Sequence, residues 1–349
     1  MFRSNRAPFL GRATISFIAA LLTSGATLAA EVNVYSYREP GLTQPLFDKF
    51  TAETGIQVNS VYIKDGLMER VAAEGANSPA DVLLTVDISR LAQAKDLGVS
   101  QPIYSDMLDQ NIPASLREPS GLWFALTMRA RVVYASKERV LQDTITYEEL
   151  ADPKWRGKLC TRSGQHDYNL GLISSMIAHH GEADAQKWLM AVRDNLARKP
   201  AGNDRSQVKG IFAGECDIAL GNTYYMGLME TNDKEPEQKQ WAAAVKVLFP
   251  NTGDRGTHVN VSGMAMAKHA PHPQEALKLM EFLSSTEAQQ LYAQGNFEYP
   301  VKAGIEASDI VKAWGELKPD QVSLDEIAKF RKQASELVDK VAFDEGPSS

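Results

Sequence analysis

The sequence has few cysteines and histidines and lacks several common catalytic motifs. Only 2 of its 349 residues are cysteine and 6 are histidine. Neither the H-E-x-x-H zinc motif nor the G-x-S-x-G nucleophile motif occurs, so a secreted hydrolase is the least favoured class and no enzymatic activity is expected. Acidic residues outnumber basic ones by 44 to 37, which argues against nucleic-acid binding.

The sequence also lacks a hydrophobic run long enough to be a permanent membrane anchor. The apolar run at residues 13–22 is about half of the roughly 20 residues that a membrane helix needs. It follows Arg3 and Arg6 and precedes small residues that end at Ala29, which is the order typical of a secretory signal peptide. We therefore predict that residues 1–29 are cleaved and that the mature chain is a soluble periplasmic protein of a Gram-negative bacterium.

The remaining chain alternates strand and helix patterns. Strands are predicted at residues 32–35, 56–63 and 81–86, and helices at residues 43–53 and 67–74. This alternation is typical of an α/β protein with mixed, mostly parallel sheets that are flanked by helices. About 320 residues exceed the usual size of one hydrophobic core, so two domains are expected.

Two extended apolar runs, at residues 123–134 and 257–266, are predicted to cross between these domains and to form a hinge. The predicted N-terminal lobe is residues 30–128 plus 258–300, and the predicted C-terminal lobe is residues 129–257 plus 301–349.

Four tyrosines follow predicted strands. Tyr37 follows the first strand, Tyr168 follows a strand at residues 158–160, and Tyr224 and Tyr225 follow a strand at residues 217–220. Ligands of open α/β sheets bind beyond the carboxyl ends of strands, so these phenols are predicted to converge. Phenol oxygens suit a hard, highly charged cation, and Fe(III) is the leading candidate.

Less specific interpretations of the same tyrosines stay open. The alternative for Tyr224 and Tyr225 is one core and one surface aromatic residue. Their place in a turn after a strand, with Asn222 and Gly227 as turn residues, favours the functional interpretation. Tyr35 and Tyr37 share one face of a strand, and Tyr37 is favoured because it lies nearer the carboxyl end.

Charge balance predicts further components of the site. Three phenolates neutralise Fe(III), whereas a fourth phenolate or a bound carbonate leaves excess negative charge in a poorly solvated cleft. Arg38, Arg129 and Arg131 are candidates to compensate that charge or to bind a planar anion with two hydrogen bonds. The alternative is that each arginine pairs with a surface carboxylate.

The two cysteines, Cys160 and Cys216, both lie on predicted strands that precede tyrosine-bearing loops. An oxidising compartment permits a disulfide between them. The alternative is two separate buried thiols that act as small apolar residues.

Six segments carry a family resemblance: residues 34–38, 78–85, 127–131, 147–158, 168–169 and 222–225. Through them the chain resembles the periplasmic ferric-iron-binding proteins that supply ATP-driven importers. The resemblance implies a two-domain, hinged binding protein of type II with iron in the interdomain cleft, and Tyr168, Tyr224 and Tyr225 match the tyrosine ligands of that family. Some relatives use a His-Tyr pair where this chain has Glu39 and Pro40, so that pair is missing here.

The same resemblance implies partners and a mode of action. A monomer would close about its hinge on Fe(III), with a carbonate-like anion or water filling the remaining coordination places, and would deliver the iron to an ABC permease and its ATPase. Tyr37 is the candidate for a fourth phenolate. The alternative ligand is an organic cation, such as a polyamine or a choline-like compound, held in an aromatic cage.

Overall fold

The computed structural model describes residues 1–2 and 30–347. Residues 3–29, which make up almost all of the predicted signal peptide, lie outside the described residues. None of the described helices is both long enough and apolar enough to cross a bilayer.

Nine strands are present in the described residues. In chain order, they are β1 Glu31–Ser36, β2 Gln57–Tyr62, β3 Val82–Thr85, β4 Phe124–Ser136, β5 Leu159–Cys160, β6 Ile218–Asn222, β7 Val245–Leu248, β8 Val259–Met266 and β9 Tyr299–Pro300.

Fourteen α-helices are present in the same part of the chain. They are α1 Pro40–Thr54, α2 Leu67–Glu74, α3 Ile88–Asp96, α4 Asp106–Asn111, α5 Asp167–His180, α6 Glu182–Asp194, α7 Asp204–Phe212, α8 Thr223–Glu230, α9 Glu237–Ala243, α10 Pro273–Leu283, α11 Thr286–Asn296, α12 Asp309–Ala313, α13 Leu324–Lys329 and α14 Arg331–Lys340.

The strands join into one mixed sheet with the order β2-β1-β3-β8-β4-β6-β5, while β7 and β9 pair with opposite ends of β4. Among the nine described strands, β1 pairs parallel with β2 and β3, and β5 pairs parallel with β6. The strand β4 runs antiparallel to β6, β7, β8 and β9. The predicted α/β class with a mixed sheet is confirmed, but the parallel share is smaller than expected because the long extended runs pair antiparallel with all their neighbours.

The strand β4 changes partner in its middle. Residues from Phe124 to Ala130 pair with β8, and residues from Arg131 to Ala135 pair with β6. The predicted extended runs at residues 123–134 and 257–266 are therefore strands that pair with each other. Every residue of β4 except Met128 is buried, which explains the continuous apolar pattern of this run.

Apolar spacing in the helices accounts for their packing. In α1, Leu46, Phe47 and Phe50 share one face, which is buried in the core. At the C-terminal end, the side chain of Ser323 caps α13 by accepting a hydrogen bond from the backbone N–H of Glu326. The apolar stripe that follows is divided between α13 and α14, because the chain leaves helical geometry at Phe330.

A disulfide bond joins Cys160 at the end of β5 to Cys216, which lies two residues before β6, with the two Cα atoms 5.9 Å apart. The bond links the segment before Tyr168 to the segment before Tyr224. Two strands that lead to tyrosines are therefore tied to each other covalently.

The close approach of Tyr134 to Gly221 leads to the first prediction. A Cβ atom on Gly221 would lie 1.9 Å from Cε2 of Tyr134, whereas a Cβ atom on Gly253 would have no neighbour within 4 Å. We expect Gly221→Ala to lower the free energy of unfolding by about 1–3 kcal/mol or more, because a buried ring of β4 must move. Gly253→Ala is the control, and equal urea midpoints for the two variants would contradict this packing.

Candidate metal centre

Tyr224 and Tyr225 lie at the junction of β6 and α8. The helix begins at Thr223, so both tyrosines stand in its first turn and not in the open turn that the sequence suggested. Their rings are stacked with centroids 4.3 Å apart. The backbone N–H of Asn222, the last residue of β6, donates a 2.8 Å hydrogen bond to Oδ1 of Asp204, which fixes the strand end just before the two phenols.

Tyr168 lies in the first turn of α5. His166 precedes this helix, and its Nδ1 accepts a 3.2 Å hydrogen bond from the backbone N–H of Tyr168. The hydroxyl of Tyr168 lies 3.1 Å from that of Tyr224, across 56 residues of sequence. The structure therefore brings together Tyr168, Tyr224 and Tyr225, which we name the phenol cluster.

Tyr168 and Tyr224 are protonated at neutral pH when no cation is bound. Burial raises the pKa of Tyr168 to about 12, and the neighbouring Tyr225 contributes to this rise. Burial, with a contribution from Tyr168, also places the pKa of Tyr224 well above its usual value. Arg129 lowers the pKa of both phenols, so its guanidinium group favours the ionised ligand form.

Arg129 presents hydrogen-bond donors that have no protein partner. Its side chain is 2% exposed, and its guanidinium carbon lies 5.6 Å from the centre of the Tyr168 ring. Nη1 donates a 3.0 Å hydrogen bond to Oγ of Ser262, while the buried Nε and Nη2 have no partner among the described residues. Buried donors of this kind are normally satisfied, so the position is suited to an anion.

Arg38 lies close to the same cluster and is paired with a buried carboxylate. Its Nη2 atom lies 2.7 Å from Oε2 of Glu298, and its guanidinium group packs over the ring of Tyr292. Nε of Arg38 has no partner among the described residues. Arg38 therefore combines an ion pair with one free donor.

Arg131 makes its hydrogen bonds with the protein itself. Nη1 lies 2.7 Å from Oδ1 of Asp204, and Nη2 donates a 2.6 Å hydrogen bond to Oδ1 of Asn169. The second oxygen of Asp204 accepts a 2.5 Å hydrogen bond from Arg162. Arg131 is thus paired with a carboxylate as in the alternative interpretation, although that carboxylate is buried and not on the surface.

Sequence reasoning missed Asp204, Arg162 and Glu298. Asp204 opens a helix directly after its cap residue, Asn203, so in sequence it resembles an ordinary acidic residue of a first helical turn. Nothing in its local pattern distinguishes a fully buried carboxylate from a solvated one.

Tyr37 and Tyr35 make their hydrogen bonds elsewhere. The hydroxyl of Tyr37 accepts a 2.9 Å hydrogen bond from the backbone N–H of Leu67 at the start of α2, and the guanidinium group of Arg90 lies over its ring. The hydroxyl of Tyr35 contacts Glu74 and Arg70. The role of Tyr37 as a ligand stays a prediction.

Within the described residues, no group of three or more His, Cys, Asp or Glu side chains is arranged to hold a metal ion. His166 packs its ring 4.5 Å from that of Tyr168, and burial lowers its pKa to about 4, so it is neutral at physiological pH. The phenol cluster is therefore the leading oxygen-donor set of this part of the chain.

Comparison with known proteins places the chain in a family. A family model described as "Bacterial extracellular solute-binding protein" matches residues 35–290. The chain belongs to this family. Iron uptake protein A1 of Synechocystis sp. is 46% identical over 316 residues, which make up 90% of this chain and 87% of that protein.

Solved structures of this solute-binding type are similar over nearly their whole length. A Bordetella ferric binding protein has a TM-score of 0.86 and 52% identity, covering 90% of this chain and 99% of that one. A Trichodesmium protein solved in complex with iron and citrate ligands has a TM-score of 0.86 and 44% identity, covering 90% and 100%. The predicted type II fold and the resemblance to ferric-iron-binding proteins are confirmed.

The pairing of Asp204 with two arginines leads to the second prediction. Asp204→Asn would leave Arg131 and Arg162 buried without their shared counter-charge, so we expect a loss of about 3–5 kcal/mol in the free energy of unfolding. The control is Asp143→Asn, whose carboxylate is 86% exposed beside Lys246 and should change stability by less than about 0.5 kcal/mol. Similar urea midpoints for both variants would show that Asp204 does not anchor this site.

Proposed function

We propose that this protein captures Fe(III) in the periplasm through the phenolates of Tyr168, Tyr224 and Tyr225. The observation that carries the proposal is the convergence of three phenols from two helix starts, with the hydroxyls of Tyr168 and Tyr224 3.1 Å apart. The proposal is supported by relatives named as an iron uptake protein and as ferric binding proteins.

The high pKa of the Tyr168 phenol favours a trivalent cation. Because the pKa of Tyr168 is raised to about 12, a cation must supply enough binding energy to displace the proton at neutral pH. Fe(III) is a hard ion with the charge to do so, and three phenolates neutralise it without leaving net charge in a buried site.

We further propose that Fe(III) binds together with a carbonate-like anion. Arg129 offers two unpartnered buried donors, and Arg38 offers one. These donors lie beside the phenol cluster, so a small planar oxyanion would add oxygen ligands to Fe(III) and satisfy the guanidinium groups. Arg131 would act indirectly, because it holds Asn169 and Asp204 in place.

An organic cation is not favoured as the ligand. The guanidinium groups of Arg129, Arg131 and Arg162 lie within about 6 Å of the Tyr168 ring centre. An organic cation does not displace phenol protons, so its charge would add to that of these arginines. Fe(III) avoids this repulsion because it displaces the phenol protons, and the resulting phenolates offset its charge.

We propose that the protein delivers its iron as a monomer to an ABC permease and its ATPase after export by the signal peptide at residues 1–29. Residues 30–128 plus 258–300 and residues 129–257 plus 301–349 would close on each other as two lobes. The change of partner along β4 between Ala130 and Arg131 supports a hinge near that position.

The third prediction tests the ligands. Tyr168→Phe, Tyr224→Phe and Tyr225→Phe each remove one ligand oxygen and keep the ring, so we expect each to weaken Fe(III) binding by more than about 100-fold while the protein stays folded. Competition against a ferric chelator, together with circular dichroism, measures both effects. Tyr104→Phe is the control, because that side chain is 84% exposed. Wild-type affinity in all three variants would refute the proposal.

The fourth prediction concerns pH. Each phenol that binds Fe(III) loses a proton, so the affinity should fall as the pH falls, by roughly tenfold per pH unit for every proton released. The measurement is competition between about pH 8 and about pH 6 against a chelator of known pH dependence, with the proton release on loading recorded in weakly buffered solution. If the Fe(III) affinity, after correction for the pH dependence of the chelator, does not change with pH, then the ligands are not phenols that are protonated before iron binds.

A further inference from the structure

Glu298 is a buried carboxylate that lies between two arginines beside the phenol cluster. Its side chain is 4% exposed, Oε2 is 2.7 Å from Nη2 of Arg38, and Oε1 is 4.0 Å from Nη1 of Arg129. Thr127 donates a further 2.9 Å hydrogen bond to Oε2. One carboxylate thus faces the guanidinium groups of both Arg38 and Arg129, each of which has at least one buried donor without a partner among the described residues.

The backbone directs this carboxylate towards the site. Phe297, the preceding residue, has a left-handed φ of 54°, which is unusual for a bulky side chain and tends to occur at functional positions. Its ring occupies the space left by Gly227 of α8, where a Cβ atom would lie 2.4 Å from Cγ of Phe297. The residue before Glu298 therefore packs against the helix that carries Tyr224 and Tyr225.

Electrostatics link the same groups. Burial is the largest single influence on the pKa of the Arg38 guanidinium and lowers it, but the Glu298 carboxylate, Tyr292 and Tyr224 together raise that pKa by more. The net pKa is raised, so Arg38 stays charged next to the cluster.

A count of buried charges then limits which anion fits. Asp204 is shared by Arg131 and Arg162, which leaves one excess positive charge. Glu298 is shared by Arg38 and Arg129, which leaves a second. Fe(III) with three phenolates is neutral, so the loaded site has an excess of two positive charges, and carbonate carries two negative ones.

We propose that Glu298 is a specificity-determining residue that limits the charge of the anion bound with Fe(III), favouring a carbonate-like dianion over a more highly charged oxyanion. The inference rests on the proposed function. Without this carboxylate, Arg38 and Arg129 would present two full positive charges to the anion, and the preference would move towards anions of higher charge.

The experiment compares carbonate with citrate as the anion bound with Fe(III). Metal-free mature protein is loaded with Fe(III) in the presence of each anion, and the phenolate-to-iron absorption band reports the concentration for half-maximal binding. In Glu298→Gln we expect the affinity for citrate relative to carbonate to rise by roughly tenfold. The citrate-to-carbonate affinity ratio of the variant is divided by that of the wild type, so the difference in size between the two anions cancels.

Two further variants separate charge from structure. Glu298→Asp keeps the charge and shortens the side chain, so the ratio should stay within about twofold of the wild type even where overall affinity falls. Glu118→Gln is the matched control, because Glu118 is also 4% exposed and paired with a cation, Lys95, outside the site. If Glu298→Gln does not fold, Glu298→Asp becomes the test. A tenfold change in the citrate-to-carbonate affinity ratio of this variant, which keeps the charge, would refute a role of charge.

The outcomes are distinguishable. Wild-type protein that develops no absorption band with either anion would refute the proposed function. A band in the wild type with an unchanged ratio in folded Glu298→Gln would leave the proposed function intact and overturn the role of Glu298.

Discussion

The candidate site depends on the buried carboxylate of Asp204. Its Oδ1 binds Arg131 on β4 and the backbone N–H of Asn222 at the end of β6, and its Oδ2 binds Arg162. Arg131 in turn holds Asn169, the neighbour of Tyr168. One carboxylate therefore fixes both segments that deliver phenols, and the desolvation of its charge is offset by two guanidinium groups and a backbone donor.

The site is rich in positive charge and poor in ionised ligands before it is loaded. Arginines surround the protonated phenols of Tyr168 and Tyr224, and this arrangement repels simple cations. In the proposed mechanism a trivalent ion would change this balance, because it would convert three phenols to phenolates and leave the arginines available to an anion. Selectivity then follows from the energy needed to ionise phenols and does not require a ring of carboxylates, which agrees with the lack of such a group in the described residues.

The features that the sequence predicted are those that depend on local pattern. The positions of Tyr168, Tyr224 and Tyr225 after strands were sufficient to place them together, because strand ends of one sheet edge meet. The hydroxyl of Tyr37 accepts a hydrogen bond from the amide of Leu67, and its role as a ligand stays a prediction. Both states of Cys160 and Cys216 remained open in the sequence, and the structure contains the disulfide.

The features that the sequence did not predict depend on contacts between distant segments. Asp204 and Arg131 are 73 residues apart, and Arg38 and Glu298 are 260 residues apart. Neither carboxylate differs in its local pattern from a surface residue. The start of α8 was also missed, because Asn222 and Gly227 resemble turn residues while the backbone is already helical from Thr223.

The central claim is that ionised phenols bind Fe(III). Its most direct test is the visible absorption spectrum of metal-free mature protein during titration with ferric citrate. A phenolate-to-iron charge-transfer band that saturates at one equivalent is the predicted result. Stoichiometric binding of iron without such a band would mean that the tyrosines are not the ligands and would contradict the account.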